Sequence, residues 1–145
     1  MGQLGTKETI DLEFIFRKVY RKIKEELNNL LKEYVTTNEF MVLKLLSDSS
    51  MRSSDLSKAL QVSASHITSV TDSLVEKGLI ERQRSNKDRR VIDLTLTDKG
   101  KALIRQLTEL KSQFLQDKFD VFTDEERETL YRLFQKFDRY LNQKP

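Results

Sequence analysis

The chain has 145 residues, of which 34% are charged and 37% hydrophobic, with a net charge of +3. The absence of cysteine excludes disulfides, thiol redox chemistry and zinc ribbons, and a single histidine argues against a metal cluster, so we expect no cofactor. The sequence has no apolar run long enough for a membrane span and no secretory signal, which favours a cytoplasmic, bacterial-type protein. The small hydrophobic fraction predicts a thin core that a partner chain completes.

The first predicted element is one long helix over residues 10–34. No glycine or proline interrupts this stretch. At about 1.5 Å per residue the helix would be about 37 Å long and would overhang a small domain. The apolar residues that recur at near-helical spacing are Phe14, Ile15, Val19, Ile23, Leu27, Leu30 and Leu31.

Two shorter helices are predicted next. Thr36 and Glu39 have the spacing of a capping box and predict a helix over residues 37–49. Ser53 or Ser54 is expected to cap a third helix that ends near residue 61. The residues that this third helix is expected to bury are Leu56, Ala59 and Leu60.

A fourth helix is predicted from Ser63, whose hydroxyl suits its N-terminus, to Lys77, with Gly78 as the stop. Its predicted buried stripe consists of Ile67, Val70, Leu74 and Val75. The side chains left towards solvent are small and polar, namely Ser65, His66, Thr68, Ser69, Asp72 and Ser73. The third and fourth helices together predict a helix-turn-helix.

Residues 79–84 and 91–96 alternate as strands of a hairpin, with Ile92, Leu94 and Leu96 on one face. Within nine residues of this hairpin five cations oppose only Asp88, a local net charge of +4. Those cations are Arg82, Arg84, Lys87, Arg89 and Arg90. An exposed polar helix beside a cationic loop matches two neighbouring grooves of duplex DNA, so the pattern predicts a winged helix-turn-helix.

Two further helices complete the predicted order. One begins at Thr97 and Asp98 and runs to about residue 120, and the other follows a second capping box at Thr123 and Glu126. The apolar side of the fifth helix is Leu103, Ile104, Leu107, Leu110, Phe114 and Leu115. The residues that the last helix is expected to turn inward are Leu130, Leu133, Phe134, Phe137 and Leu141.

The hairpin carries the pattern D-x-R-x-x-x-L-x-L-T-x-x-G as Asp88, Arg90, Leu94, Leu96, Thr97 and Gly100. With this motif, and with matching segments at 37–40, 56–60 and 76–82, the chain resembles the MarR (multiple antibiotic resistance regulator) family of bacterial transcription factors. The resemblance implies a mainly α fold with an α+β winged helix. It also implies a homodimer that binds double-stranded DNA at a pseudo-palindromic operator, more often as a repressor.

The domain organisation expected from this resemblance has three parts. Residues 1–36 would form an N-terminal dimerisation helix, 37–100 the winged helix-turn-helix and 101–145 the C-terminal dimerisation helices. The intertwined first and last helices would cover the long apolar stripe, because a twofold dimer uses the same patch twice.

The candidate DNA-binding residues lie at helix starts, on the fourth helix and in the wing. They are Ser53, Ser54, Ser63, Ser65, His66, Thr68, Ser69, Ser73, Arg84, Lys87, Asp88, Arg89 and Arg90. Arg90 is expected in the minor groove with Asp88 as its brace, although a solvated hairpin ion pair is the alternative. Ser53 and Ser54 would hold a phosphate or simply cap their helix.

The chain departs from the family pattern at Ser69 and Ser73, where many relatives carry arginine. Bidentate contacts to guanine are therefore not expected from the middle of the fourth helix. Because hydroxyls discriminate bases weakly, we expect phosphate contacts and the wing to supply most of the affinity. His66 is expected to contact DNA, with an ordinary surface histidine as the alternative.

Three other functional hypotheses follow from the sequence. Relatives often bind small aromatic anions, so an aromatic or anionic effector is one expected partner, although aromatics at helical spacing more commonly form the core. A winged-helix module that docks an acidic protein surface is the alternative function. An enzyme is disfavoured, because the sequence shows no paired carboxylates in an apolar context, no glycine-rich phosphate loop and no metal-ligand spacing.

Overall fold

The computed structural model of the chain describes residues 5–143. Within that range the chain forms six helices and a two-stranded antiparallel sheet, as the mainly α, winged-helix prediction required. In chain order the elements are α1 (Thr6–Leu31), α2 (Thr37–Asp48), α3 (Ser53–Leu60), α4 (Ala64–Glu76), β1 (Ile80–Arg84), β2 (Ile92–Leu96), α5 (Asp98–Phe119) and α6 (Asp124–Asn142).

The chain divides into two compact units, Met1–Thr108 and Glu109–Pro145. The buried core lies in the first unit, where α2, α3, α4, the sheet and the start of α5 contribute to it. Its fully buried large side chains include Leu43, Leu56, Ile67, Leu74, Leu94 and Leu107. The predicted capping boxes at Thr36 and Thr123 are confirmed. On α4 the predicted burial of Ile67, Val70 and Leu74 is confirmed, whereas Val75 is only half buried.

The first helix begins earlier and ends earlier than predicted, at Thr6 and Leu31 rather than at residues 10 and 34. The N–H groups of Tyr34 and Val35 both donate to the Leu31 carbonyl, which closes a turn. Val35 is buried by that turn, and Thr36 then caps α2. Because no glycine or proline marks the turn, the sequence pattern alone did not locate it.

The start of α3 differs from the prediction that a serine caps it. Arg52 is the N-cap residue, and its N–H donates to the Asp55 carboxylate at 3.3 Å, so Ser53 and Ser54 lie inside the first turn. Ala59, which was expected to be buried, is exposed. Asp55, at the third helical position, thus binds the N–H of the N-cap residue, and neither Ser53 nor Ser54 caps the helix.

The α4 helix ends as predicted at Gly78, which has φ +72°. The Gly78 N–H donates to the Val75 carbonyl and the Leu79 N–H to that of Leu74, which satisfies the last carbonyls of the helix. This reversal sends the chain directly into β1. The α4 helix and the hairpin are therefore joined by a short turn whose backbone groups are hydrogen-bonded to α4.

The hairpin pairs Ile80 with Leu96 and Arg84 with Ile92. Met51 adds an antiparallel bridge to Leu94, with backbone bonds of 2.8 and 3.3 Å, and so ties the segment before α3 to the sheet. Leu94 and Leu96 are buried as predicted. Ile92, predicted on the same face, is half exposed because it lies beyond the core towards the hairpin tip.

Two helices carry exposed apolar faces. On α1 the exposed residues include Ile10, Leu12, Phe14, Ile15 and Val19, and on α6 they include Leu133, Phe137 and Leu141. The prediction that α6 turns its apolar side inward is wrong for the single chain, since no residue of that helix is buried. None of the helices within residues 5–143 is both long and apolar enough to cross a membrane.

Candidate nucleic-acid interface

The first turn of α4 presents a row of exposed hydroxyls. Ser63 caps the helix by accepting the His66 N–H at 3.1 Å, and its hydroxyl lies 3.2 Å from that of Ser65. The Thr68 hydroxyl donates to the Ala64 carbonyl at 3.0 Å. Ser63, Ser65, His66, Thr68 and Ser69 are all exposed, so the structure brings most of the predicted recognition residues to one accessible surface.

Ser73 does not belong to that surface. Its side chain was predicted to face solvent, but it is half buried and its hydroxyl donates to the Glu39 carboxylate at 3.1 Å. Because the Ser73 hydroxyl is bonded to Glu39, it is not available to bind a DNA base. The predicted recognition face is therefore shorter than the sequence suggested and ends near Ser69.

Glu39 is the buried charge next to this interface. Its carboxylate accepts bonds from the Thr36 N–H at 2.8 Å, from the Ser73 hydroxyl and, at both oxygens, from the Lys77 ammonium at 2.9 Å. Burial of the carboxyl raises the pKa of Glu39, but the three donors together outweigh burial and hold that pKa below its ordinary value. The network joins the first turn of α2 to the C-terminal end of α4.

The wing is held by its own backbone and by Asp88. The Asp88 carboxylate accepts the Arg90 N–H at 3.0 Å and lies 3.5 Å from the Arg90 Nε atom. The Arg90 side chain is 93% exposed, so its guanidinium stands free of the protein core. The predicted brace between these two residues is confirmed as a contact, whereas insertion into a groove stays a prediction.

The remaining wing cations differ in whether other groups of the chain bind them. The Arg84 guanidinium donates to the Arg89 carbonyl at 2.9 Å and so spans the hairpin loop. Arg82 forms an ion pair with Asp72 of α4, which links the recognition helix to β1. The +4 predicted for this hairpin is thus partly neutralised, because the sequence count did not include an anion contributed by α4. Lys87 and Arg89 are exposed.

Sequence reasoning missed two residues beside the interface, Asn38 and Lys77. The Asn38 amide lies 2.9 Å from the His66 ring, and Lys77 binds Glu39. Both contacts join segments more than twenty-five positions apart, so helical periodicity gave no signal for them. Glu39 itself had been noticed as half of a capping box and within the 37–40 segment, but not as a buried carboxylate that binds α4.

A family model for the MarR family matches residues 35–92. The chain is 40% identical over 138 residues to the uncharacterized HTH-type transcriptional regulator YpoP of Bacillus subtilis, across 94% of this chain and 98% of that protein. It is 31% identical over 118 residues to the HTH-type transcriptional repressor MdtR of Bacillus subtilis, across 80% of this chain and 76% of MdtR.

A solved structure of a MarR family protein from Bacillus stearothermophilus superposes with a TM-score of 0.84 at 23% identity, across 97% of this chain and 100% of that chain. At this identity the likeness shows the fold alone, which agrees with the α4 helix and wing described above. Near-complete coverage of YpoP at 40% identity shows the family. The chain therefore belongs to the MarR family of DNA-binding, winged helix-turn-helix transcriptional regulators.

Proposed function

We propose that the protein acts as a homodimer that binds a pseudo-palindromic operator and represses transcription in the cytoplasm. The observation that carries this proposal is the exposed polar first turn of α4 together with the 93% exposed Arg90 side chain of the wing. A helix of this kind enters the major groove while a cationic hairpin reaches phosphates or the neighbouring minor groove. Repression is inferred from the likeness to MdtR, which is named as a repressor.

The dimer is supported by the exposed apolar faces of α1 and α6. Phe14 on α1 and Phe137 on α6 are 58% and 54% exposed in the single chain, and exposed apolar surface on a helix face marks an interface. A second copy supplies the same two faces and covers them by twofold symmetry. Two winged helices related in that way would read half-sites about one helical turn of DNA apart.

Sedimentation of the full chain at micromolar concentration tests the dimer. The wild type is expected to sediment as a dimer, and the double variant Phe137→Glu with Leu141→Glu as a monomer, because two charges would be buried on the shared face. Ile92→Glu, which places the same charge on an exposed apolar residue of the wing, is the matched control and should remain dimeric. A monomeric wild type contradicts the proposal.

Operator binding is tested by selecting bound fragments from the parent genome and titrating the selected duplex against a random duplex at increasing salt. Affinity for both should fall steeply with salt, because phosphate contacts release counterions, while the selected duplex keeps an advantage. Salt-insensitive binding, or none, would instead favour the protein-interaction module. If the protein bound the selected duplex and the random duplex equally well, this result would rule out a specific operator.

We also propose that a small amphipathic anion releases the operator. Support comes from an open cavity of about 510 Å³ in the first unit, whose polar groups include two cations, Lys101 and Arg105. The other residues that line it are the apolar Leu46, Leu96 and Ile104 and the hydroxyl-bearing Ser47, Ser50 and Thr95.

Benzoate and naphthoate, with the neutral benzamide as control, are suitable probes for this site. The carboxylates are expected to weaken operator binding by the wild type and to have less effect on Arg105→Gln. Benzamide should leave operator affinity unchanged. An anion that binds free and DNA-bound protein equally cannot shift the equilibrium, and this result would contradict release by this class of ligand.

A further inference from the structure

The imidazole of His66 is held by a residue outside the recognition helix. The Asn38 Nδ2 atom, in the first turn of α2, lies 2.9 Å from the Nε2 atom of His66, in the first turn of α4. With its nitrogen facing the ring, the Asn38 amide donates this bond and Nε2 accepts it, because an amide nitrogen has no lone pair to offer. The contact therefore selects one form of the ring.

A neutral imidazole carries its proton on one nitrogen and a lone pair on the other. Which nitrogen is protonated is set by the hydrogen bond that the other one makes. With Nε2 accepting from Asn38, the ring proton of His66 lies on Nδ1. The Nδ1 edge of the ring then carries an N–H donor rather than an acceptor.

Asn38 is well placed to impose this choice because its neighbour in the chain is fixed. Glu39 is only 3% exposed and is bound by Thr36, Ser73 and Lys77, so the first turn of α2 is anchored to α4 at the position next to Asn38. His66 is anchored in turn through its backbone N–H, which Ser63 accepts. Both partners of the contact thus stand on a rigid backbone.

We propose that Asn38 is a positioning residue for DNA recognition, which fixes His66 as an Nδ1–H donor that binds an acceptor atom of the operator. The acceptors offered by DNA are purine N7, guanine O6, thymine O4 and the phosphate oxygens. The inference rests on the proposed operator binding. It adds an oriented hydrogen-bond donor to a helix whose other exposed groups, Ser65 and Thr68 among them, discriminate bases weakly.

The tautomer can be measured without DNA, since the chain has one histidine and its imidazole nitrogen resonances need no assignment by mutation. Nitrogen NMR of the full-length wild type at mildly alkaline pH is expected to show the proton on Nδ1. Asn38→Ala should relax the ring towards the Nε2–H form that free histidine prefers. Asn38→Asp should move the proton to Nε2, because a carboxylate can only accept.

Asn142→Ala is the matched control for these variants. It removes an exposed asparagine of α6 that donates to Asp138 at 2.8 Å, and it should leave the His66 tautomer unchanged. A wild-type ring already protonated on Nε2, or an Nδ1–H ring that persists in Asn38→Ala, would overturn the assignment. This outcome does not depend on whether the protein binds an operator.

Operator affinity supplies the functional test. Asn38→Ala is expected to weaken binding roughly three- to ten-fold, the range that one net hydrogen bond supports. The same change made in a His66→Ala background should have no further effect, since the asparagine acts through the ring. Equal losses in both backgrounds would show that Asn38 acts independently of His66 and would overturn the proposal.

Modified duplexes identify the acceptor. Substitution by 7-deazapurines or 4-thiothymine removes or weakens a base acceptor, and methylphosphonate removes a phosphate charge and acceptor. At the contacted position one of these should weaken binding by the wild type more than binding by His66→Ala. If none does, the donor role of His66 is wrong. If no duplex binds at all, operator binding fails while the tautomer result still stands.

Discussion

The Lys77 ammonium lies 2.9 Å from both carboxylate oxygens of Glu39 and so joins the C-terminal end of α4 to the first turn of α2. The side chain of Glu39 is 4% exposed, whereas that of Lys77 is 42% exposed. A buried carboxylate needs its donors, but a half-exposed ammonium can turn to water. The two partners therefore contribute unequally to holding the recognition helix in place.

The first prediction compares the two partners by substitution. Glu39→Ala is expected to lower the free energy of unfolding by about 2–3 kcal/mol, since it removes both the cap of α2 and the buried hydrogen bonds. Lys77→Met should cost about 1 kcal/mol, because solvent screens the exposed ammonium and Thr36 and Ser73 still donate to the carboxylate. Urea titration followed by circular dichroism measures both.

Lys58→Ala, an exposed cation of α3, serves as the control and should stay within about 0.5 kcal/mol of the wild type. If Lys77→Met proved as costly as Glu39→Ala, the ammonium would be the dominant partner. The inference that Glu39 contributes more than Lys77 because it is less exposed would then be wrong.

The second prediction concerns pH. The donors around Glu39 hold its pKa below the ordinary value of 4.5, so the unfolded chain binds more protons than the folded chain as the pH falls past that value. The stabilisation is present above pH 4.5 and is lost as the pH drops through the folded pKa. Unfolding of wild type and Glu39→Gln, which keeps the cap but not the charge, should differ at neutral pH and converge in acid. A difference that is constant with pH contradicts this account.

Much of the fold could be predicted from local chemistry. The capping boxes at Thr36 and Thr123, the serine cap of α4 and the glycine stop at Gly78 are decided by neighbours within a few residues, and all four are confirmed. The failures have a common origin. The end of α1 near Leu31 depends on where the next helix must start, which no local signal records.

The candidate site was only partly predictable, for the same physical reason. Exposure of Ser65 and His66 follows from the 3.6-residue period of α4, whereas the inward turn of Ser73 depends on Glu39, thirty-four positions earlier. Likewise, the Asp72 partner of Arg82 is supplied by a different element from the hairpin. Side-chain contacts between different helices and strands depend on tertiary packing, so the periodicity of the sequence does not predict them.

The third prediction concerns the wing. Arg90→Ala should weaken binding to the selected duplex and make the dependence of log affinity on log salt shallower by about 0.9 per wing, if each guanidinium neutralises one phosphate. Arg139→Ala removes the same charge from an exposed position on α6 and should change the slope little. An unchanged slope in Arg90→Ala would mean that this residue forms only an ion pair with Asp88, 3.5 Å away.

The fourth prediction compares the loss of stability when alanine replaces Gly100 or Gly78. An added Cβ at Gly100 would lie 2.0 Å from the Leu79 carbonyl oxygen, the same oxygen that accepts the Thr97 N–H at 3.1 Å, so the start of α5 would have to move away from the hairpin. Gly78 has open space around it, and only its φ of +72° opposes a side chain. Gly100→Ala should therefore cost about 3 kcal/mol or more, and Gly78→Ala about 1 kcal/mol, in urea unfolding. If Gly78→Ala proved the more costly change, the close approach of α5 to Leu79 would not explain why a glycine stands at position 100.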